Sequence, residues 1–425
     1  MIQRIKPVGK LHARMRLPGS KSITHRALLM AALADGESTI LNPLRAEDTL
    51  LTAGALEQIG VRLAWGEDSL RVVGPQVRWT EPSAALHLGN SGTSMRLLLA
   101  FLAAGTGKFV LDGTPRLRER PIGPVLTALA EQGVGVRCLG EQGYPPVELT
   151  ASGLKGGEIW IDATQSSQFL SAILLVSPCA QRDVEVAWME PVASLPYVHL
   201  TLRMMSQFGI AHRWLTPNRV LVPAPQAYQP RAYQVEGDCS SASYFWAAAA
   251  LTGGQIHTAP VSPDALQGDC RFLSILEQVG CHITWEEDGV RVAGLENLRP
   301  LDMDMNEMPD MVPTLAVLAA VANGESRIHN VAHLRIKESD RLHVLALELG
   351  KLGVKVTELP DGLIIEGGTA HGGAIHSHDD HRIAMAFAIL GLQVEGIEIH
   401  GAEAVAKSFP GFWEEFGRLG AGGNG

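Results

Sequence analysis

Basic side chains stand just before several apolar segments of this sequence, where they could bind an anion. Lys21, Ser22 and Arg26 follow the loop at residues 17–20 and adjoin the apolar run ALLMAAL. Glycine and small hydroxyl residues before such a run predict a tight loop that opens a helix. The free N–H groups and dipole of a helix start favour a phosphate or carboxylate. We interpret this stretch as an anion site, with an ordinary capped helix in solvent as the alternative.

Other cations occur in comparable places. The loop GTPRLRERPIG carries Arg116, Arg118 and Arg120, which repel one another unless an anion or carboxylates lie among them. Arginine is also the side chain best shaped for bidentate contact with carboxylate or phosphate. Arg382 precedes another apolar helix, and Lys407 stands before an aromatic segment near the C-terminus. A solvated basic surface is the alternative for each of these positions.

Acidic residues are candidates for proton transfer. The segment MNEMPDMVP holds Asp310 where equivalent stretches hold cations, and a carboxylate among cations and substrate suits acid–base chemistry. Further on, HLRIKESDRL predicts a helix start that contains Lys337, Glu338 and Arg341, with Lys337 and Arg341 as an i,i+4 pair. Dipole pairing or a solvated first turn would explain the same residues without any function.

Composition limits the classes of protein. The formal net charge of −10 argues against a general nucleic-acid binder, and no apolar run of about 18 residues predicts a membrane span. The five cysteines form no CxxC pair, so we predict neither a disulfide framework nor a zinc site, and a cytoplasmic location fits. The histidine-rich stretch HSHDDH lacks a second ligand cluster, so no metal and no other cofactor is predicted.

A pattern of small polar residues followed by an apolar helix occurs six times. The intervals are 71, 75, 74, 70 and 70 residues, measured between the markers Ser20, Ser91, Ser166, Ser240, Asp310 and Asp380. Such regular spacing indicates an internal repeat. A second series, in which a helix pattern ends at glycine and β-branched residues follow, predicts a left-handed cap and a strand at Gly60, Gly133, Gly209, Gly280 and Gly353.

Six units are too many for one core in a chain of 425 residues. We predict an α/β protein with two similar domains of three repeats each, residues 18–237 and residues 1–17 plus 238–425. The sixth repeat lacks a final strand, so the N-terminal segment MIQRIKPV is expected to return and supply it. The crossings near residues 17–20 and 235–239 would then form a hinge.

A series of blocks carries a resemblance to a known family: LPGSKSITHRALLMAAL, LGNSGTSMRLL, PRLRERPIG, SSQFLSAILL, GDCSSASYF, DMNEMPD, RIKESDRL, DHRIAMAF and AKSFP. In order and spacing they closely resemble the 5-enolpyruvylshikimate-3-phosphate synthases, over essentially the whole chain. The resemblance implies transfer of the enolpyruvyl group of phosphoenolpyruvate to the 5-hydroxyl of shikimate 3-phosphate, in the shikimate pathway to chorismate and aromatic amino acids. It also implies two domains of three βαβαββ units around a pseudo-threefold axis, an inside-out α/β barrel.

The resemblance further implies the substrate contacts. Hydroxyl, amide and charged groups would bind shikimate 3-phosphate: Lys21, Ser22, Arg26, Ser166, Ser167, Gln168, Ser194, Tyr197, Asp310 and Lys337. A mostly cationic set would bind phosphoenolpyruvate: Lys21, Gly92, Arg120, Gln168, Arg341, Arg382 and Lys407. The reaction proceeds by addition and elimination, for which Asp310, Glu338 and Lys21 are the catalytic candidates, with Asp310 at the hydroxyl and Glu338 at the methylene carbon.

Two alternatives have different consequences. A UDP-N-acetylglucosamine enolpyruvyl transferase would share fold and donor, but that family usually carries a cysteine in the loop matching residues 115–123, and this chain has none. A non-catalytic anion-binding protein would not require Asp310 and Glu338 beside its ligand. We expect a monomer that binds neither nucleic acid nor membrane. A Gly92→Ala change is expected to weaken glyphosate, the family's inhibitor, more than the substrate.

Overall fold

The computed structural model describes residues 1–74, 78–295, 297–368 and 370–421. The α-helices are α1 (Lys21–Leu33), α2 (Glu47–Gln58), α3 (Gly92–Ala103), α4 (Gly123–Glu131), α5 (Ser167–Val176), α6 (Pro196–Gln207), α7 (Cys239–Thr252), α8 (Phe272–Val279), α9 (Val312–Val321), α10 (Arg341–Lys351), α11 (His381–Leu390) and α12 (Phe412–Ala421). Short 3₁₀ helices cover Leu117–Glu119, Ser177–Cys179, Gly268–Arg271, Pro309–Met311, Ala332–Ile336 and Ala402–Lys407.

The strands are short and lie between these helices. They are β1 (Ile2–Arg4), β2 (His12–Arg16), β3 (Glu37–Leu41), β4 (Arg62–Trp65), β5 (Ser69–Val73), β6 (Leu86–His87), β7 (Thr106–Asp112), β8 (Gly135–Cys138), β9 (Val147–Ser152), β10 (Gly157–Ile161), β11 (Val184–Trp188), β12 (Arg213–Thr216), β13 (Arg219–Val222), β14 (Ala232–Gln234), β15 (Gln255–Ala259), β16 (His282–Trp285), β17 (Val290–Ala293), β18 (Asp302–Asp304), β19 (Glu325–His329), β20 (Lys355–Leu359), β21 (Gly362–Glu366), β22 (Gly373–His376) and β23 (Ile397–His400).

The sheets share one plan. Three of them have the orders β6-β7-β9-β8, β10-β11-β13-β12 and β18-β19-β21-β20, in which the first pair is parallel and the other pairs are antiparallel. Two more follow the same plan with a strand from a distant part of the chain, because β14 pairs parallel with β3 and β2 pairs parallel with β15. In the sixth sheet β1 pairs antiparallel with β23. The repeated sequence pattern thus corresponds to a repeated supersecondary unit.

The predicted glycine caps are confirmed. Each of the five glycines has a positive φ, from 78° to 117°, between a helix and the strand that follows it: Gly60, Gly133, Gly209, Gly280 and Gly353. A residue with a Cβ rarely adopts this backbone conformation, so glycine lets the chain reverse from helix into strand within two to five residues.

The chain divides into two compact units. The continuous unit is Lys21–Val235, and the discontinuous unit is Met1–Ser20 with Glu236–Gly425. In the continuous unit α3 packs against α1 and α5, and in the discontinuous unit α7, α9 and α11 pack against one another. These central helices are apolar on nearly all sides, as buried helices must be. That the units are domains joined by a hinge stays a prediction.

One prediction about the cysteines is wrong. Cys239, the first residue of α7, forms a disulfide with Cys270 in the 3₁₀ helix Gly268–Arg271. The two residues are 31 positions apart and show no paired spacing, but β15 and the loop after it return the chain to the start of α7. Their Cα atoms are 5.3 Å apart, a separation that a disulfide can span. No helix in the described ranges is long and apolar enough to cross a bilayer.

Candidate active site

In the continuous unit, Arg26 lies within the core at the second turn of α1. Its Nε donates to Thr201 Oγ1 at 2.8 Å and its Nη2 to Ser171 Oγ at 3.1 Å, so α1 is joined to α5 and α6. The guanidinium also lies 5.9 Å from the ring centroid of Tyr197. Burial lowers the pKa of Arg26 to about 10, and the group is therefore still charged at neutral pH. The result is a fixed cation whose donors are largely held by hydroxyl and carbonyl oxygens.

Lys21 is the first residue of α1, where the helix dipole favours an anion. Its Nζ lies 3.0 Å from Oδ2 of Asp48, a side chain that is 2% exposed. Ser22 follows on the same turn and accepts from Arg26 through its carbonyl oxygen at 3.1 Å. An ion pair with a buried carboxylate limits the directions in which the lysine can reach. Lys21 is therefore positioned rather than free to extend into solvent.

Of the three arginines predicted in one loop, the structure separates one from the other two. Arg118 forms a two-pronged contact with Asp112, and Arg116 pairs with Glu119, both near the surface. Arg120 is 3% exposed and donates to Asn90, to its carbonyl oxygen at 2.9 Å and to Oδ1 at 3.3 Å. Its guanidinium lies against Gly92, the first residue of α3. Arg120 is thus the member of the loop that is built into the interior.

Gln168 lies in the first turn of α5 and links two helices. Its Oε1 accepts from Arg96 Nη1 at 2.8 Å, and its Nε2 donates to Thr93 Oγ1 at 3.0 Å. Ser166 caps α5 by accepting from the backbone N–H of Gln168 at 3.3 Å. Arg96 is held further by the carbonyl oxygen of Pro121. These contacts fix the amide of Gln168 relative to the start of α3.

Hydroxyl groups lie close to this network. Ser166, Ser167 and Ser194 are all buried, and Tyr197 is half-buried near the start of α6. Ser194 has a φ of 61°, a conformation uncommon for a residue with a Cβ. The Tyr197 carbonyl oxygen accepts from Thr201 Oγ1 at 2.8 Å. Of the predicted polyol-binding side chains, Ser166 and Ser167 thus lie at the start of α5 beside Gln168. Tyr197 lies in α6, the helix that Arg26 contacts through Thr201.

In the discontinuous unit, Asp310 lies between two arginines. Its Oδ1 accepts from Arg341 Nη1 at 2.9 Å, and its Oδ2 accepts from Arg382 Nη2 at 2.7 Å. Asp310 belongs to the 3₁₀ helix that precedes α9, whereas Arg341 and Arg382 open α10 and α11. The side chain of Asp310 is 20% exposed, while that of Arg341 is 1% exposed. One edge of the carboxylate thus remains accessible.

Arg341 is the centre of a charged cluster. Besides Asp310 it donates to Asp380 through Nε at 2.8 Å and through Nη2 at 3.2 Å, and to Glu338 Oε2 at 2.8 Å. Asp380 also caps α11 by accepting from the N–H of Arg382 at 3.0 Å. A guanidinium that is planar and offers five N–H groups can meet three carboxylates at once, which a lysine could not do.

The cluster shifts the pKa of its members. Burial acts to raise the pKa of Asp310, but the charges of Arg382, Lys337 and Arg341 overcome it and hold that pKa well below its ordinary value. Burial also acts to raise the pKa of Asp380, but the charge of Arg341 outweighs it, and the pKa of Asp380 is lowered. Both carboxylates are ionised at neutral pH. In this arrangement Asp310 is a poor base until some of the neighbouring positive charge is neutralised.

The helix start predicted around Lys337 is placed differently. The helix α10 begins at Arg341 and is capped by Asp340, whose side chain accepts from the N–H of His343 at 3.1 Å. Lys337 and Glu338 therefore precede the helix, and the proposed i,i+4 pairing on one helix does not occur.

Lys407 is buried at the end of the 3₁₀ helix Ala402–Lys407.

Several residues join these clusters without having been assigned from sequence. No role is predicted from the sequence for Arg96, although it holds Gln168, or for Asp48, which pairs with Lys21. The sequence predicts Asp380 only as a repeat marker, yet this carboxylate accepts two hydrogen bonds from Arg341 and orients it. His333 lies buried near Asp310, and burial together with Lys337 lowers its pKa to about 3, so its ring is neutral.

Asp269 is a further buried acid in this unit, and it accepts a hydrogen bond from Ser240 Oγ. Burial and the charge of Asp310 raise the pKa of Asp269 to about 6. It stands next to Cys270 and hence beside the disulfide that holds this loop against α7. No sequence motif marks this residue, because its position depends on how the loop folds back.

Comparison with solved structures gives close matches over nearly the whole chain. An EPSP synthase from Acinetobacter baumannii matches with a TM-score of 0.82 and 33% sequence identity, covering 98% of this chain and 97% of that one. A second structure of EPSP synthase from the same organism matches with a TM-score of 0.81 at 32% identity. These matches identify the fold as that of the enolpyruvyl transferases.

Sequence relatives narrow this class. A family model described as EPSP synthase (3-phosphoshikimate 1-carboxyvinyltransferase) matches residues 5–416. A 3-phosphoshikimate 1-carboxyvinyltransferase of Syntrophobacter fumaroxidans is 59% identical over 421 residues, covering 99% of this chain and 100% of the relative. Another, from Methanoculleus marisnigri, is 44% identical over 97% of this chain and 98% of the relative. The chain belongs to the EPSP synthase family.

Proposed function

We propose that this chain performs its family's reaction with the residues assigned from sequence. The enolpyruvyl group of phosphoenolpyruvate is transferred to the 5-hydroxyl of shikimate 3-phosphate, and phosphate is released. The observation that supports the residue assignment best is the carboxylate of Asp310 held between Arg341 and Arg382. It combines a candidate base with two cations suited to an anionic substrate.

The first step of the proposal concerns competition for these cations. Phosphoenolpyruvate carries a phosphate and a carboxylate, and arginine binds both well. When the substrate's anionic groups contact Arg341 and Arg382, they neutralise charge that otherwise stabilises ionised Asp310. The pKa of Asp310 then rises, and its oxygen atoms are released from one or both guanidinium contacts. Binding of the donor thus converts a poor base into a better one.

The chemical steps follow from this. Asp310 takes the proton of the 5-hydroxyl as that oxygen bonds to the central carbon of phosphoenolpyruvate, and Glu338 protonates the methylene carbon. In the second step the C–O bond to phosphate breaks, the methyl carbon of the ketal returns a proton to Glu338, and Asp310 passes the hydroxyl proton to the departing phosphate. Arg341 donates to one oxygen of Glu338 at 2.8 Å and so fixes the orientation of this side chain. That contact favours the ionised carboxylate, so Glu338 can hold a proton for the methylene carbon only once the donor's anionic groups have engaged Arg341. Lys21 is the third catalytic candidate.

Substrate contacts are proposed along the same lines. For shikimate 3-phosphate, the buried hydroxyls of Ser166, Ser167 and Ser194 suit a polyol, and Arg26 supplies a charge that burial keeps in place. Tyr197 and Lys337 complete the family's set together with Lys21, Ser22, Gln168 and Asp310. For phosphoenolpyruvate, the set is Lys21, Gly92, Arg120, Gln168, Arg341, Arg382 and Lys407.

The setting of the reaction is also a proposal. Phosphorylated substrates do not cross membranes freely, so we place the enzyme in the cytoplasm, where such metabolites are made. We propose that it acts as a monomer without nucleic-acid or membrane partners, in agreement with its net charge of −10.

Phosphate release tests the proposal directly. Purified full-length protein is given both substrates, then each alone, and phosphate is measured over time. Release only with both substrates supports the transferase reaction. Release with UDP-N-acetylglucosamine in place of shikimate 3-phosphate would instead assign the chain to the sister reaction. Folded protein that is silent with either acceptor would contradict the proposal.

A further inference from the structure

A histidine outside the clusters described above is buried with its ring unsatisfied. His257 lies in β15 of the discontinuous unit and is 2% exposed. Neither ring nitrogen has a hydrogen-bond partner within the described part of the chain. Its neighbours Ile256 and Thr258 are also buried, and Thr258 Oγ1 accepts from Trp246 Nε1 on the core side of the strand. By strand alternation, the imidazole is on the opposite face of the sheet.

The hairpin between β16 and β17 covers this face. The N–H of Glu286 donates to the carbonyl oxygen of Gly289 at 2.9 Å, which closes a tight turn. A Cβ at Gly289 would lie 2.1 Å from the Thr258 carbonyl oxygen and 3.1 Å from His257 Cε1. Only glycine lets the turn approach the strand this closely. The turn therefore brings the carboxylates of Glu286 and Asp288 over the imidazole.

Two arginines orient these carboxylates. Arg291 donates to Oε1 of Glu286 at 2.6 Å, and Arg14 donates to Oδ2 of Asp288. Both arginines occupy strand positions that pair with His257, Arg291 in β17 and Arg14 in β2. The oxygens left over, Oε2 of Glu286 and Oδ1 of Asp288, are the ones that approach the histidine. Such outer contacts are what fix ligand orientation in metal sites.

The distances match those around a small cation. His257 Nε2 is 3.3 Å from Oε2 of Glu286 and 3.3 Å from Oδ1 of Asp288. In a tetrahedral site with bonds of about 2.0–2.2 Å, ligand atoms lie about 3.3–3.6 Å apart. All three ligand atoms are within 4.8 Å of one another. One nitrogen and two carboxylate oxygens form a donor set that suits Zn²⁺ and similar first-row ions.

We propose that His257, Glu286 and Asp288 bind one divalent transition-metal ion, with Zn²⁺ the best chemical match and water in the remaining position. The ion ties the β16–β17 hairpin to β15. Arg14 and Arg291 already offset the charges of the two carboxylates, which weakens the attraction of the site for a cation. The bound ion should therefore exchange with ions in solution. A chelator should then empty the site without unfolding the chain.

The test uses the full-length protein after chelator treatment and dialysis. Zn²⁺ binding is measured by equilibrium dialysis with metal analysis, and Co²⁺ is then substituted so that its visible spectrum reports coordination. The matched control is His282→Gln, which removes an exposed histidine from β16, an edge strand of the same sheet. We expect wild type and His282→Gln to bind one more Zn²⁺ per chain than His257→Gln, and the four-coordinate Co²⁺ band to disappear only in His257→Gln.

Two surface variants keep the test decisive if His257→Gln fails to fold. Glu286→Gln and Asp288→Asn change side chains of the exposed turn, and each should weaken Zn²⁺ binding at least tenfold while phosphate-release activity stays within twofold. Zn²⁺ should also raise the melting temperature of wild type but not of these variants. Equal Zn²⁺ stoichiometry and affinity in wild type and all three variants would overturn the proposal, and would show that the cluster is only a set of polar contacts.

Discussion

Replacing Gly92 by alanine would place a methyl group against the guanidinium of Arg120. The added Cβ would lie 2.6 Å from both Cζ and Nη2 of Arg120. Ordinary contacts begin at 3.4 Å, so the guanidinium must move by about 0.8 Å (3.4 minus 2.6 Å). Arg120 is anchored at Asn90 by contacts of 2.9 and 3.3 Å, which such a movement would lengthen or break.

The size of the effect follows from the contact that is lost. If Arg120 binds phosphoenolpyruvate, as proposed, a displacement of this size costs roughly one charge-assisted hydrogen bond, about 1.5–3 kcal/mol. This corresponds to a rise of roughly 10- to 140-fold in the KM for phosphoenolpyruvate, at 1.4 kcal/mol for each factor of ten. The KM for shikimate 3-phosphate should change less than about threefold, since Arg120 is not in that set.

Steady-state phosphate release with each substrate varied in turn measures both constants, and the inhibition constant of glyphosate is taken on the same samples. We expect that constant to rise by a larger factor than the KM for phosphoenolpyruvate. The control is Gly54→Ala in α2, where a Cβ would meet nothing within 4 Å, and its constants should match wild type. An unchanged KM for phosphoenolpyruvate in Gly92→Ala would refute the placement of Arg120 in the donor site.

Three further outcomes follow from buried charges. Burial raises the pKa of Asp269 from 3.8 to about 6, so the wild-type protein loses stability as pH rises through that range. Asp269→Asn removes this loss, so the variant should gain roughly 3 kcal/mol over wild type at pH 8 relative to the same comparison at pH 4. Equal shifts in melting temperature at both pH values would refute this. Arg341→Lys cannot meet the carboxylates as a fork, so urea unfolding should show a loss of about 3–5 kcal/mol. Glu348→Gln should cost roughly 3 kcal/mol in the same assay, since the fully buried carboxylate contacts His378 Nε2 and Lys351 Nζ at 2.7 Å each; unchanged unfolding midpoints would show that these pairs are dispensable.

Features that repeat along the chain were the ones that sequence could predict. The glycine caps are local, because a helix that must reverse into a strand needs a positive φ at a fixed point. The buried arginines Arg26 and Arg382 belong to the same repeated pattern, since each lies near the start of a central helix. The strand needed by the sixth repeat was expected from the N-terminus, and β1 pairs with β23.

Features that depend on tertiary contacts were not predictable. The predicted start of α10 is wrong because Asp340 caps the helix, which leaves Lys337 outside it. The sequence HLRIKESDRL is compatible with a helix start at either position. The role of Asp380 depends on a contact with Arg341, 39 positions earlier. The Cys239–Cys270 pair and the cluster at His257 likewise require the return of a loop or the register of a sheet, which periodicity does not encode.

The assignment of Asp310 as the base for the 5-hydroxyl can be tested with a single variant. Asp310→Asn keeps the shape of the side chain but removes its charge and basicity. Binding of shikimate 3-phosphate and turnover are measured on the same preparation, with Asp302→Asn as the control on an exposed strand position. We expect a dissociation constant for shikimate 3-phosphate within about tenfold of that of wild type, and a turnover lower by several orders of magnitude. Turnover like that of wild type would contradict the assignment of Asp310 as the group that takes the hydroxyl proton.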